Sequence, residues 1–119
     1  MKLRYPGKKF KCLLWDDAED QILQLQSDRA FMQLLTLINK FCDGCTLQAP
    51  GQINSEGEGF FAFKKGQLRA YFWYCSKERG VIVVSHFIYK KTSKLHANDK
   101  QRMKDNRRNY EKVRKDHSS

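Results

Sequence analysis

The sequence predicts an α+β domain in which an N-terminal helical hairpin packs on a small antiparallel β-sheet and a basic helix closes the chain. Three observations predict it. Apolar residues recur at helical spacing between Ala18 and Phe41, aromatic and β-branched runs separated by short Gly-containing turns fill Phe60 to Tyr89, and the chain beyond about Asn98 is charged with few apolar residues.

Lys9 to Trp15 has a short strand-like character and stops at Asp16-Asp17, acids that suit the positive end of a helix. Ala18 to Gln26 places Ile22, Leu23 and Leu25 on one helical stripe. Ser27 then reads as the N-cap of a second helix, carried by Phe31, Leu34, Leu35, Ile38 and Phe41 and closed by Gly44 in the left-handed conformation. Leu47 to Gly59 is rich in Gly, Pro, Asn and Ser and reads as a loop. Phe60 to Lys64, Leu68 to Cys75 and Val81 to Tyr89 read as three strands, and the shortness of their connections makes them an antiparallel meander. On the second strand, period-two alternation separates Leu68, Ala70, Phe72 and Tyr74, which suit a core under the hairpin, from Arg69, Tyr71, Trp73 and Cys75 on a more open face. The tail forms a basic helix with Met103, Tyr110 and Val113 as its few apolar residues, which predicts weak docking.

Residues 1–119 read as one domain, with no repeat or low-complexity linker, and 40% hydrophobic residues are enough for a core. The longest apolar runs, such as Val81 to Val84, are far shorter than the roughly 20 residues of a membrane span. Met1 to Gly7 is followed by no apolar stretch of the secretory kind, so the expected location is the cytoplasm, without membrane attachment. Cys12, Cys42, Cys45 and Cys75 are too irregular for a disulfide framework and read as reduced thiols. Cys42 and Cys45 have the spacing of a zinc half-site or a redox motif, but no second close pair of ligands completes a zinc site and the pair ends a helix instead of opening one, so the expectation is two ordinary thiols beside a helix cap with no metal and no cofactor, a metal site being the alternative.

Charge carries more information. The chain has 23 Lys and Arg against 13 Asp and Glu, a net charge of +10. From Tyr89 onward there are 11 basic and 4 acidic residues, so most of the excess lies near the C-terminus. Such a stretch attracts polyanions through counterion release, with nucleic acid as the leading partner class and an acidic protein as the alternative. No paired carboxylates, Ser-His-Asp arrangement or glycine-rich phosphate loop can be read. The dense cluster is basic: Arg69, His86, Lys90, Lys91, Lys94 and His96. A set of this kind can hold a phosphodiester and stabilise charge on its non-bridging oxygens, and RNA supplies its own 2′-hydroxyl nucleophile. Arg69 alternating with Tyr71 and Trp73 suits phosphate binding and base stacking, although a cation–π contact accounts for it equally. The lysines also serve solubility at a strand end, His86 in an apolar strand reads first as structural, and His96 as a cap or surface residue.

Leu68 to Phe72, then Val81 to Lys94 with its Lys90-Lys91-Thr92-Ser93-Lys94 segment, then a basic helix, resemble the RelE/HigB superfamily of bacterial toxins, above all its phage-derived HigB-like branch. The likeness spans roughly residues 60 to 112, and the first half agrees in being a helical hairpin before a sheet, the RelE/ParE-like arrangement. What the resemblance implies is the toxin of a type II toxin-antitoxin system. Such a toxin is a metal-independent messenger-RNA endoribonuclease acting in the ribosome, stopping translation and neutralised by a partner antitoxin of the helix-turn-helix kind. Carried over by position, Arg69 would stabilise the scissile phosphate, Lys90 and Lys91 would bind phosphate, and His96 would take part in proton transfer. Lys94, Arg107, Arg108 and Tyr110 would border RNA or ribosomal RNA. This chain has Lys94-Leu95-His96 where the branch commonly continues Lys-Thr-Pro, and its final helix extends farther. Two other readings compete: a ParE-like inhibitor of DNA gyrase, and a non-enzymatic module that binds nucleic acid or the ribosome through its basic helix.

Overall fold

A six-stranded sheet forms the centre of the molecule, with strand order β1-β2-β6-β5-β4-β3. The computed structural model describes residues 2–90 and 97–117, apart from the side chains of 114–117. In chain order the elements are β1 (Lys2–Pro6), β2 (Lys11–Leu14), α1 (Asp16–Leu25), α2 (Arg29–Cys42), β3 (Ile53–Gly57), β4 (Phe60–Lys65), β5 (Leu68–Tyr74), β6 (Val81–Tyr89) and α3 (Ala97–His117). Among the described residues no helix is long and apolar enough to cross a membrane.

This architecture overturns the expected N-terminal helical hairpin on a small antiparallel sheet. Two strands precede the helices, and the sheet is mixed because β2 runs parallel to β6, Cys12 opposite Ile82 and Leu14 opposite Val84. Parallel neighbours need a long connection, and α1 and α2 lie in the chain between this pair. The two strands missing from the sequence reading are the sheet's edges. β1 contains Pro6, which an edge tolerates, and β3, with sequence INSEG, lies inside the presumed loop Leu47 to Gly59.

Local chemistry explains the helix boundaries. Asp28, not Ser27, caps α2: its Oδ1 accepts from the amides of Ala30 at 2.9 Å and Phe31 at 3.2 Å. Asp16, Asp17 and Glu19 lie within the first turn of α1 instead of capping it. Gly44, at φ 100°, ends α2 and donates to the Phe41 carbonyl at 3.0 Å. Gly7 permits β1 to turn back past this helix end, since a Cβ there would lie 2.5 Å from the Cys42 carbonyl oxygen.

Each face of the sheet has its own core. Against α1 and α2 lie Cys12, Leu14, Phe63, Leu68, Ala70, Phe72, Ile82, Val84 and Phe87, with Phe31, Leu34 and Ile38 from α2. Rings of Phe63 and Phe72 stack at 4.1 Å, and Phe31 meets Phe87 edge-on at 4.9 Å. On the opposite face, Phe60, Ala62, Tyr71, Trp73, Val81 and Val83 are covered by Met103 and Tyr110 of α3. The expectation of a partly open face with a weakly docked helix is therefore corrected. Met103, Asn106 and Tyr110 fall on one helical stripe and are all buried.

A β-bulge decides what this second face carries. Tyr71 pairs with His86 but Phe72 with Val84, so Ser85 is an extra residue on β6. Strict alternation sends Ser85 and His86 to opposite faces, whereas the bulge turns both toward α3. Ser85 Oγ accepts from Asn106 Nδ2 at 2.9 Å, and His86 Nε2 lies 3.2 Å from Asp99 Oδ1.

Candidate functional site

At the end of the sheet where β4 gives way to β5 and β6 finishes, the face toward α3 changes from apolar to charged. Lys64 and Arg69 are directly paired across β4 and β5, Arg69 pairs with Ile88 on β6, and Lys90 continues that row two residues on. Asp99 in the first turn of α3 lies against His86, and Tyr110 farther along lies against Trp73 and Cys75. The helix therefore runs away from Arg69 and leaves this end of the sheet beyond its first turn.

Arg69 is anchored by one nitrogen. Its Nη1 donates to the carbonyls of Gly66 at 2.6 Å and Leu68 at 2.9 Å, so the β4–β5 turn holds the guanidinium in place. Among the described residues its other two nitrogens carry no hydrogen bond, so they remain available to an anion in the fork geometry that suits phosphate. Lys90 is only 5% exposed, and its amide donates to the Gln67 carbonyl at 2.7 Å. Burial pushes its ammonium below the ordinary lysine value, and the nearby charges of Arg69 and Lys64 push the same way, against Glu56 and Asp99. Tyr71 has the same neighbourhood. Burial first, then the charges of Glu56 and Asp99, raise its phenol, with Arg69 opposing them. Arg69, Lys64 and Lys90 thus share one end of the sheet as a cationic cluster.

Glu56 lies on the edge strand between the rows of Phe61 and Phe60, away from the Lys64–Arg69 row. The register of β3 against β4 slips between Ser55 and Gly57, so Glu56 occupies a second bulge, a device that re-aims a side chain. Lys64, Glu56 and Asp99 were not singled out in the sequence. For Lys64 a signal existed, because once β4 and β5 are read as a hairpin it falls opposite Arg69. For Glu56 none did, since its strand was hidden in a polar segment.

Other expected site residues are not surface groups. Tyr71 is 0% and Trp73 1% exposed, so neither ring can stack on a base. Their covering is α3, whose apolar stripe the composition of the tail concealed. Tyr110, expected at the RNA border, is 1% exposed, its ring 5.8 Å from Trp73 and its hydroxyl 3.1 Å from Cys75 Sγ. These three are core residues. Arg107 and Arg108 do lie on the outer side of α3. Arg107 Nη1 donates to the Glu58 carbonyl at 2.9 Å and its guanidinium lies 4.1 Å from the Phe60 ring centre, whereas Arg108 is largely exposed, 3.7 Å from Asp105. Together with Lys104, Glu58 and Glu111 they line a cleft of about 450 Å³. Lys91, Lys94 and His96 lie outside the described residues.

His86 is structural in its setting. It is fully buried, Nδ1 lies 2.8 Å from Ser85 Oγ, and Asn106 links Ser85 to Asp17, which Arg102 also holds at 3.0 Å. This chain of polar groups joins α1, β6 and α3. Burial raises the Asp17 carboxyl, but the hydrogen bonds from Asn106 and Arg102 outweigh it and hold the group below the ordinary range. Cys42 is buried at the end of α2 and Cys45 is exposed just past it, both free, and among the described residues no three His, Cys, Asp or Glu side chains converge as a metal site. No family model matches the chain, and no curated protein resembles it closely enough to count as a match.

Proposed function

We propose that this protein is an endoribonuclease toxin that cleaves messenger RNA on the ribosome in the cytoplasm and is neutralised by a small helix-turn-helix antitoxin. The observation that carries the reading is the convergence of Arg69 and Lys90, distant in sequence, on one charged cluster that also contains Lys64. Three cations at one sheet end suit a single phosphodiester. Arg69, fixed by the turn carbonyls, would grip two non-bridging oxygens, and Lys90 and Lys64 would stabilise the negative charge that grows as the 2′-oxygen attacks phosphorus. The likeness of residues 60–112 to RelE/HigB toxins supports the substrate class, and the basic outer side of α3 supports a ribosomal surface as docking site.

The test is Arg69→Ala in a translating extract, with transcript ends mapped. Cleavage is expected to fall about 100-fold or more, as when a group that stabilises transition-state charge is lost. Because Arg69 bonds only turn carbonyls, the melting temperature is expected to hold. Undiminished cleavage by the folded variant overturns the site. Intact transcripts with the wild-type protein overturn the nuclease reading, and stalled gyrase complexes in cells that express it would replace it.

A further inference from the structure

We infer that Cys12 and Cys42 form a buried dithiol that oxidises to an internal disulfide, with the exposed Cys45 as the thiol through which a small-molecule disulfide such as oxidised glutathione reacts. The inference is independent of the nuclease reading and concerns the other end of the sheet. Cys12 pairs with Ile82 near the start of β6, whereas Lys90 follows its end.

Backbone geometry brings the first two cysteines together. The Cys42 carbonyl, at the end of α2, accepts from the amides of Lys9 at 2.8 Å and Phe10 at 2.9 Å, and the Phe10 ring stacks on Phe41 at 5.1 Å. Gly7 lies against the same helix end, where an added Cβ would come 2.6 Å from the Cys42 Cβ. Cys12 follows Phe10 by two residues, about 7 Å along the strand, and turns to the α2 face with Leu14. Both cysteine side chains are 0% exposed in that one core, where the Cys12 thiol donates to the Cys42 sulfur. Sulfurs already in contact can be joined with little movement of the backbone.

Cys45 connects this pair to solvent. α2 ends in a tight double-bonded turn, in which Gly44 donates to the Phe41 carbonyl and Cys45 to the Lys40 carbonyl, each at 3.0 Å. The turn folds Cys45 back beside the last helical turn, close to Cys42 in the chain, and leaves it exposed. Cys75 takes no part, because it lies in the other core against Tyr110. The Cys42 thiol is held below its ordinary value, first by the Cys12 thiol and then by the Arg4 charge, against burial and Asp43. Contact with Cys42 first, then burial, push Cys12 up. Cys42 is therefore the nucleophile of the pair, and Cys12 resolves it.

The Cys45 thiolate attacks one sulfur of oxidised glutathione and expels a glutathione thiolate. Cys42 attacks the Cys45 sulfur and expels the second, which leaves Cys42 joined to Cys45. Cys12 then attacks the Cys42 sulfur and returns Cys45 as a free thiol. The protons of Cys12 and Cys42 pass to the two glutathiones, so two protein thiols are oxidised as one glutathione disulfide is reduced. The new bond closes residues 12 to 42 into a loop that carries both α1 and α2, and ties β2 to the end of α2. In a reducing compartment such a bond is transient, which makes the pair a stabiliser that acts under oxidation.

Redox titration of the folded protein in glutathione buffers, with thiols trapped by alkylation and tryptic peptides read by mass spectrometry, tests this. As glutathione becomes oxidised, wild type is expected to join peptide 12–29 to peptide 41–64, and its melting temperature to rise by about 10 °C. Cys45→Ser is expected to reach the same cross-linked fraction about tenfold more slowly, because only the entry thiol is lost. Cys42→Ser is expected to form no cross-link. Wild type that stays reduced in fully oxidised buffer overturns the dithiol, and so does a cross-link that persists in Cys42→Ser, which would join Cys12 to Cys45. An unchanged rate in Cys45→Ser overturns the entry role. Should Cys42→Ser fail to fold, fragmentation of the joined wild-type peptides decides the same point, since a bond to Cys45 contradicts the inference and a bond to Cys42 supports it.

Discussion

His86 shows how one residue can govern stability without taking part in chemistry. Burial first, then the Arg102 charge, push its imidazole down from 6.5 to about 4, against the pull of Asp99 and Asp17. The folded protein therefore holds a neutral ring at pH 7, and between about 6.5 and 4 the unfolded chain binds the proton more readily. Stability is complete above pH 6.5 and is lost as the pH falls, by about 2 kcal/mol between pH 7 and 5 on the linkage relation. Urea unfolding at those two pH values measures it. His86→Gln is expected to start less stable but to show a flatter dependence, and equal slopes in the two proteins would remove His86 as the cause. At this scale the sequence was informative where charge alone defined the role. Arg69 and Lys90 were legible because a cation among aromatic residues and one closing an apolar strand stand out from their neighbours. Lys64 was not, because it meets Arg69 only through pairing across strands that a linear reading does not bring together.

Elements determine which of those residues can reach solvent. Period two held along β5, and Leu68, Ala70 and Phe72 do lie under α1 and α2. It failed on β6, where the Ser85 bulge moves His86 to the α3 face and Phe87 to the opposite core, and no composition rule marks such an extra residue. The same blindness applied to α3, where the inward stripe among the described residues includes a polar one, so its docking stripe looked too thin to bury a face. Asn106 is that residue, and it bonds Ser85 and Asp17 at once, each at 2.9 Å. The helix is therefore a structural wall of the second core, which predicts a sharp contrast between its sides. Tyr110→Ala is expected to cost about 3–5 kcal/mol, as for other large aromatic truncations in a core. Because Trp73 and Trp15 share that cluster, tryptophan emission should shift to the red as water enters. Arg108→Gln on the exposed side should change stability by less than about 0.5 kcal/mol. Equal losses from the two substitutions would mean that α3 is not packed as a wall.

For the whole molecule, the net charge of +10 separates affinity from chemistry. Much of the basic charge on α3 is partly compensated: Lys100 and Lys104 lie 3.4 and 3.2 Å from Glu58, and Arg102 lies 3.0 Å from Asp17. What remains is a broad positive field that attracts any polyanion and is screened by salt. A field of that kind does not distinguish RNA from DNA, because both present the same phosphates. On the proposed nuclease reading, selectivity would come at the chemical step, where only RNA offers a 2′-hydroxyl. Single-stranded RNA and DNA of one sequence are therefore expected to bind within about threefold of each other, and both to weaken together between 50 and 200 mM salt. Cleavage is expected for RNA alone. Each cation lost from the binding surface should reduce the slope of log affinity against log salt by about 0.7, so Arg69→Ala is expected to remove that much for either strand while, on the nuclease reading, cutting cleavage about 100-fold or more. Fluorescence-anisotropy titrations over the salt series give both slopes. A large preference for RNA at equal salt would show that the 2′-hydroxyl is already recognised in the ground state, and the field would then not be the source of affinity.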